Sequence, residues 1–342
     1  MNEEISQPRG GPSETSSGDR TGRDLLKATV PFAVESVATS WWLVGSTFVL
    51  LAGSLVGAAL IPAWPLRLAF SISSALLMMR AFITFHDHMH GAILSRSYLA
   101  RILFQAYSVL ALTPARSWKN SHNYHHGHVG QVTSTSVGAF PIMTTRMWRD
   151  APWATRAYYR LERHPLTILT GYITVFFISI CLLPLIRDPA RYWDSLVALL
   201  GHGALIAALW IFGGFDTAFF VVLLPLSVAS ALGSYLFFAQ HSFKDMHIMS
   251  EEDWTYNRAA LESSSYLQLN KVMRWVTGNI GFHHVHHINV RIPFYRLPEA
   301  MDAIPELQSP VTISLSMRDI VDSFRCCLWD EGGQKMVSYR EA

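Results

Sequence analysis

The stretch SVATSWWLVGSTFVLLAGSLVGAALIPAWPL, residues 36–66, contains no charged side chain. As a helix, residues 39–61 extend about 34 Å, enough to cross a hydrocarbon core of roughly 30 Å. Trp41, Trp42 and Trp64 fall at its ends, where an aromatic belt forms at a membrane–water boundary. A buried helix of a water-soluble protein rarely needs so long a run without charge. The stretch therefore reads as a membrane span, and the rest of the chain is organised around it.

Composition agrees. Of 342 residues, 50% are hydrophobic and only 15% charged, against about 25% charged in ordinary soluble domains. Disorder over most of the length is excluded, and the composition argues against a conventional cytosolic enzyme. The formal net charge of +2 argues against nucleic-acid binding, which needs a strongly basic face. Three cysteines make no disulfide framework, and Cys326–Cys327 read as a plain reduced pair. The first 28 residues are polar, without an apolar run, and read as a flexible tail, not a cleaved signal peptide.

A second apolar segment, 66–85, follows the Pro62–Pro65 turn. Arg67 and Arg80 bracket twelve uncharged residues there, so both arginines are expected to snorkel to the interfaces. Residues 166–186, 195–215 and 217–240 are three further uncharged stretches of spanning length. Of 27 Lys and Arg, four precede the first span, nine lie between Ala81 and Pro165, and ten follow Ala239. The positive-inside rule then puts the N-terminus, the 86–165 region and the C-terminal third in the cytoplasm. Parity requires an even number of crossings between Pro165 and Ala239, so one of the three later stretches does not cross. Residues 195–212, with Gly201, His202, Gly203 and Gly213–Gly214 in or beside them, are the candidate. By the same logic residues 98–112 are interfacial. The expected fold is an all-α integral membrane protein with about four transmembrane helices in two hairpins, interfacial helices and a cytoplasmic histidine-rich cap. Its organisation reads as a flexible cytoplasmic N-terminal tail (1–38), a membrane domain (39–310) and a cytoplasmic C-terminal tail (311–342).

Eleven of the 15 histidines fall in three short windows, all in the cytoplasmic regions. In His86-Asp87-His88-Met89-His90, the first and last histidines are at i and i+4 and share a face if the second helix continues past the membrane. His122, His125 and His126 are at i, i+3 and i+4, with His128 just beyond; His283, His286 and His287 repeat that spacing. A lone histidine is usually a satisfied polar or surface group, and His164, His202 and His247 read that way. Eight imidazoles on three short faces have no such stabilising logic, because each needs a partner when buried. Metal binding supplies it, since neutral imidazole suits zinc, copper, iron and nickel. Structural zinc takes four ligands, commonly with Cys; eight or nine histidines are too many for one ion, and no cysteine lies nearby. Two ions with open positions fit the count. Soluble di-iron proteins use Glu and Glu-x-x-His pairs, whose places histidine takes here. A site at a bilayer surface with no acid/base pair suits oxidation of an unactivated C–H bond. That chemistry needs a high-valent metal–oxo species made from dioxygen, which side chains alone do not supply.

The order HDxxH (His86–His90), HxxHH (His122–His126), HxxHH (His283–His287) over membrane hairpins resembles the membrane fatty acid desaturases. The run TGNIGFHHVHHIN (277–289), followed by RIPFYRLPEA (291–300), is similar to the acyl-lipid desaturases of the delta-12/omega-3 type, as is Gln240-His241 at the end of the last apolar segment. The resemblance covers roughly residues 40–310. It implies two irons held by His86, His90, His122, His125, His126, His283, His286 and His287, with His241 as the ninth ligand. It also implies O2 as co-substrate, an acyl lipid substrate, and a bacterial cytoplasmic membrane with the metal site and both termini cytoplasmic. Asp87 and His128 would orient ligating imidazoles, while His88 and His284 stay outside the ligand set. Acyl-CoA desaturases fill one further position with water held by an Asn, for which Asn279 is a candidate.

The implied activity is oxygen-dependent desaturation of a fatty acyl chain by di-iron–oxo hydrogen abstraction. The chain carries no Gly-rich dinucleotide loop and no His-Pro-Gly-Gly haem segment, so its electrons come from a separate donor such as ferredoxin or cytochrome b5. The nine basic residues between Ala81 and Pro165 are a candidate landing site, with the plain positive-inside signature as the alternative. A carotenoid ketolase or hydroxylase, or an acyl-chain hydroxylase, is the alternative within the same chemistry, because HDHMHG (86–91) also looks like the first box of carotenoid ketolases. A metal transporter is a rival of another class, but it would place histidines within the spans, where only His202 lies.

Overall fold

The computed structural model describes residue 20 and residues 22–132 and 140–342. Residues 1–19 and 21, within the expected N-terminal tail, lie outside the described residues. Helix α1 (Gly22–Thr29) leads to α2 (Val37–Leu60), whose N-terminus is capped by the Ser36 hydroxyl accepting from Thr39 N. Helix α3 (Trp64–His90) starts with Pro65 in its first turn, where a missing N–H costs nothing. It runs past the apolar segment without a break, so His86 and His90 are helical neighbours. Gly91, at φ 72°, ends it with its N–H turned back to the Asp87 and His88 carbonyls.

Helices α4 (Tyr98–Leu110) and α5 (Ala115–His128) are joined by a buried turn through Leu112 and Thr113. Helix α4 exposes Tyr98, Leu99, Ile102 and Leu110 while burying Ala100, Phe104 and Tyr107, the division expected of an interfacial helix. The Tyr107 hydroxyl donates to Met78 O of α3 at 2.9 Å. Strand β1 (Met143–Thr144) and helices α6 (Thr145–Asp150), α7 (Trp153–Glu162) and α8 (Pro165–Leu169) follow.

A π-helical stretch, Tyr172–Leu182, then runs into α9 (Leu183–Arg187), and a second, Phe219–Leu223, links α10 (Trp193–Ala218) to α11 (Leu224–Gln240). Both wide stretches stop just before Pro184 and Pro225, whose missing N–H and bulky ring break the ordinary i to i−4 ladder. Three helical runs are long and apolar enough to cross a membrane: Val37–Leu60, Trp64–His90 and the 48-residue Trp193–Gln240. Straight, the last would measure about 72 Å, more than twice a hydrocarbon core. It is broken at Gly214 (φ 79°, ψ 168°), a conformation open to glycine alone. Tyr172–Arg187 is apolar but shorter. Helices α2 and α11 pack on the two sides of α3, which is thereby the central element.

The remaining elements form the cap: α12 (Tyr256–Glu262), β2 (Tyr266–Gln268), α13 (Lys271–Val276), α14 (His283–Ile288), α15 (Leu297–Ala303), β3 (Thr312–Ser314), α16 (Met317–Arg325), β4 (Leu328–Asp330) and β5 (Lys335–Val337). Strand β2 pairs parallel with β3; β1 pairs parallel with β4, which pairs antiparallel with β5.

Two expectations, the all-α fold and the snorkelling of Arg80, are corrected here. The chain is mostly helical, but not all-α, because the C-terminal strands β3, β4 and β5 pair with each other and with the internal strands β1 and β2 in these two small sheets. Leu25 of α1 is in the core, the Thr29 hydroxyl accepts from Asn289 Nδ2 at 2.8 Å, and Trp329 of β4 is fully buried. Apolar and cap residues spaced along each segment find long-range partners that local composition does not reveal. Finally, Arg80 does not snorkel: it is 3% exposed and bonded inward.

Candidate metal centre

Helix α3 carries His86 and His90, α5 carries His122, His125 and His126, and α14 carries His283, His286 and His287. His241 is the first residue beyond α11. All nine meet in two adjoining groups, and all but the half-buried His90 are buried. The first group is His86, His90, His122, His126 and His286; the second is His125, His241, His283 and His287. Within each, the ligand atoms lie within 4.8 Å of one another. The two i, i+3, i+4 triplets do not serve one ion each. Helix α5 gives two histidines to the first group and one to the second, and α14 does the reverse. His126 and His287, from different groups, have ring centroids 4.2 Å apart.

The Nε2 contacts form two chains. In the first group His86–His122, His122–His126 and His126–His286 are 3.0, 3.0 and 3.2 Å apart. In the second His125–His241, His241–His283 and His283–His287 are 3.1, 2.7 and 3.1 Å apart. A neutral imidazole has one N–H, so hydrogen bonds satisfy at most two of the three contacts in each chain. Burial, reinforced by neighbouring imidazoles, holds His122, His125, His126, His283, His286 and His287 well below the usual histidine range. Burial pushes His241 down to about 4. The rings are therefore neutral near pH 7, with converging lone pairs that protons cannot reconcile and that a transition-metal cation can. Nδ1 of His125, His126, His283, His286 and His287 is buried without a partner among the described residues. The donor set fits two metal ions with imidazole ligands, iron among them.

Some rings are oriented from outside. Asp87 Oδ1 faces His86 Nδ1 at 3.0 Å, and its Oδ2 accepts from Phe294 N at 2.6 Å. With a carboxylate at Nδ1, the His86 proton sits there and Nε2 is bare toward the group. His241 Nδ1 likewise donates to Ser263 O at 3.0 Å. Trp118 stacks on His122 with centroids 4.4 Å apart. Gln240 Nε2 donates to Ile280 O at 2.8 Å, tying the end of α11 to the turn before α14. Sequence reasoning found Asp87 but missed Ser263, Trp118 and the tie made by Gln240, because none carries a metal-binding signature of its own.

Other expectations sort themselves by partner. His88 faces Ile93 O and His284 faces Leu307 O, so both stay outside the groups. His128 does not orient a ligating ring: it bonds Tyr124 O at 2.8 Å and stacks on the Tyr124 ring at 3.8 Å. Asn279 is committed elsewhere, its Nδ2 donating to Phe294 O and its Oδ1 accepting from Arg274 Nε. His164 caps α8, and His202 lies between the Tyr172 hydroxyl and Leu110 O. His247 sits between Glu262 and Gln334.

A family model described as fatty acid desaturase matches residues 62–315. A Bacillus subtilis (strain 168) fatty acid desaturase is 31% identical over 322 residues, covering 93% of this chain and 91% of that protein. The chain belongs to the fatty acid desaturase family. It is an oxidoreductase of that family, and acyl-lipid desaturases are among its relatives. A Nostoc sp. (strain 36) sn-1 acyl-lipid omega-3 desaturase (ferredoxin) is 24% identical, over 82% of this chain and 73% of that one. A Synechocystis sp. (strain ATCC 27184 / PCC 6803 / Kazusa) sn-1 oleoyl-lipid 12-desaturase is 22% identical, over 84% and 82%. In this desaturase eight histidines of the three windows and His241 converge in one centre, and its apolar helices are those of a membrane-associated enzyme.

Proposed function

We propose that this desaturase introduces a cis double bond into the acyl chain of a membrane lipid, using O2 and two electrons from an external donor. The observation that carries the reading is the pair of adjoining buried groups of five and four converging imidazoles. His86, His90, His122, His126 and His286 would hold one iron and His125, His241, His283 and His287 the other. Together the irons supply the redox chemistry that removes two hydrogens from neighbouring methylenes while O2 and two further protons end as two waters.

The protein's part is to bind, orient and exclude. Asp87 and Ser263 O keep the Nδ1 protons of His86 and His241 facing outward. Phe82, Phe85, Phe104 and Trp118 pack an aromatic wall below the first group, which keeps water from the acyl side. The acyl chain enters from the membrane plane within the domain 39–310. Four crossings leave the histidine centre and both termini on the cytoplasmic side, as the distribution of Lys and Arg requires.

The donor is of ferredoxin type, the one named for three relatives. It docks on the basic cytoplasmic face, where Lys119 and Arg291 lie within electrostatic reach of the half-buried His90. Acyl lipid is favoured over carotenoid because the relatives' names are those of acyl-chain enzymes. The test is expression in a host with its own ferredoxin, followed by profiling of total fatty acids and pigments. A new double bond in glycerolipid chains is the expected result. Altered carotenoids with unchanged acyl chains, or purified protein holding zinc in place of iron, overturn the reading.

A further inference from the structure

Arg80 lies inside the apolar helix α3 and is 3% exposed. Among the described residues no carboxylate pairs with it. Its Nε donates to the Thr47 hydroxyl of α2 at 3.1 Å, and its Nη1 donates to the Trp275 carbonyl at the end of α13. The guanidinium carbon is 4.3 Å from the centre of the Trp275 ring and 5.6 Å from that of Phe294. A buried cation with only neutral partners is costly, and an aliphatic residue would fill an apolar helix face at no such cost. What the charge holds is therefore the informative point.

The Trp275 carbonyl also accepts from Gly278 N at 3.2 Å. That bond closes the turn leading to α14, in which Gly278 and Asn279 take φ of 50° and 55°. One helical turn above Arg80, Ile83 sits so close to Gly278 that a Cβ there would approach its Cγ2 to 2.7 Å. Another turn on, Asp87 bonds Phe294 N. Arg80, Ile83 and Asp87 are spaced i, i+3 and i+7 and form one stripe on α3. Opposite it Trp275, Gly278 and Phe294 all belong to the segment that carries α14. Phe294 is held by its ring, by its N–H and, through Asn279 Nδ2, by its carbonyl. His86 and His90 project from the same helix, and His286 rides on the gripped segment, with ring centroids 4.6 Å from His86 and 5.1 Å from His90.

We infer that Arg80 is a positioning residue of the five-histidine group: it anchors the stripe that sets the register of α3 against the 275–294 segment, and so the placement of His286 relative to His86 and His90. The inference rests on the reading that this group holds an iron. Ligand sets lose function with misplacements well under 1 Å, so a register clamp is a functional device.

The test uses full-length protein in detergent, as Arg80→Met, Arg80→Lys and, should the first fail to fold, Thr47→Val. Amide hydrogen exchange is followed in the metal-free chain, and iron content and Mössbauer spectra in the loaded one. In Arg80→Met, exchange at Gly278 and Phe294 rises while α2 and α11 stay protected. Bound iron falls from about two per chain towards about one, a loss of affinity on the order of 10–100-fold, and one spectral component disappears. Arg80→Lys restores part of it, and Thr47→Val shows the same pattern more weakly. Two irons with an unchanged spectrum in Arg80→Met, or exchange that rises throughout the chain, overturn the inference. If the unaltered protein binds no iron, the metal reading fails instead, and the exchange arm still decides whether Arg80 sets the register.

Discussion

Helices α3 and α14 meet in the five-histidine group, α3 through His86 and His90 and α14 through His286, yet different forces hold them. Helix α3 has 27 residues, with α2 and α11 packed along it. It would be helical by length and composition alone, so its i, i+4 pair is presented wherever the helix stands. Helix α14 has six residues, HHVHHI, every one buried. An isolated helix of that length is far below the stability threshold in water. It is held by α12, β2 and α15 packed around it, by His284 on Leu307 O at 3.0 Å, and by Asn289 on Thr29. The same imidazole chemistry thus stands on a self-supporting rod in one case and on a borrowed scaffold in the other. Ligand geometry on α14 is accordingly a property of the whole cap, including segments that read as tails.

The sharpest way to break the contrast is to remove a ligand from the borrowed scaffold. His283 Nε2 touches both His241 and His287, so His283→Ala is expected to lower desaturation by more than the ~100-fold that losing an orienting partner costs. Acyl-chain profiling alongside metal analysis measures it, and retained activity would remove His283 from the ligand set. Next comes packing. Ile288→Ala, at a fully buried position of α14, is expected to cost about 2–5 kcal/mol. Val49→Ala on the exposed face of α2 should stay within about 0.5 kcal/mol. Unfolding midpoints in detergent compare them, and equal shifts would contradict the idea that the short helix depends on its surroundings. The smallest effect probes α3. Asp87→Asn keeps the shape but replaces the carboxyl group that meets His86 Nδ1 and Phe294 N, and should weaken metal binding about 10–100-fold. His128→Phe, which keeps the stack on Tyr124 and touches no ligand, should leave binding unchanged. Metal titration of both variants separates a ring that orients a ligand from one that only packs.

Much of this was legible in the chain. The uncharged runs announce membrane helices because charge in hydrocarbon is expensive over any window of some twenty residues. Spacings of three and four announce shared faces, which is why all nine histidines that meet in the structure could be named beforehand, His241 by resemblance alone. His128 was misread for the same reason that the windows were read well: proximity in sequence says that rings are near, not which carbonyl one of them prefers. Asn279 lies beside the third window, yet its left-handed backbone and its bond to Phe294 O spend it on the turn. The inward grip of Arg80 was hidden because its partners, Thr47 and the Trp275 carbonyl, lie 33 and 195 residues away.

By itself, then, the sequence determined the apolar helices and the identity and local spacing of the histidines, since hydropathy and helical period act over a few turns. Only the tertiary structure decided how those histidines divide five and four, with each triplet split between groups. It also decided that α1 and the C-terminal strands pack against the cap and that a buried arginine locks one histidine segment against another. Those outcomes depend on contacts between residues far apart in the chain, and no local period encodes which distant surface a face will meet.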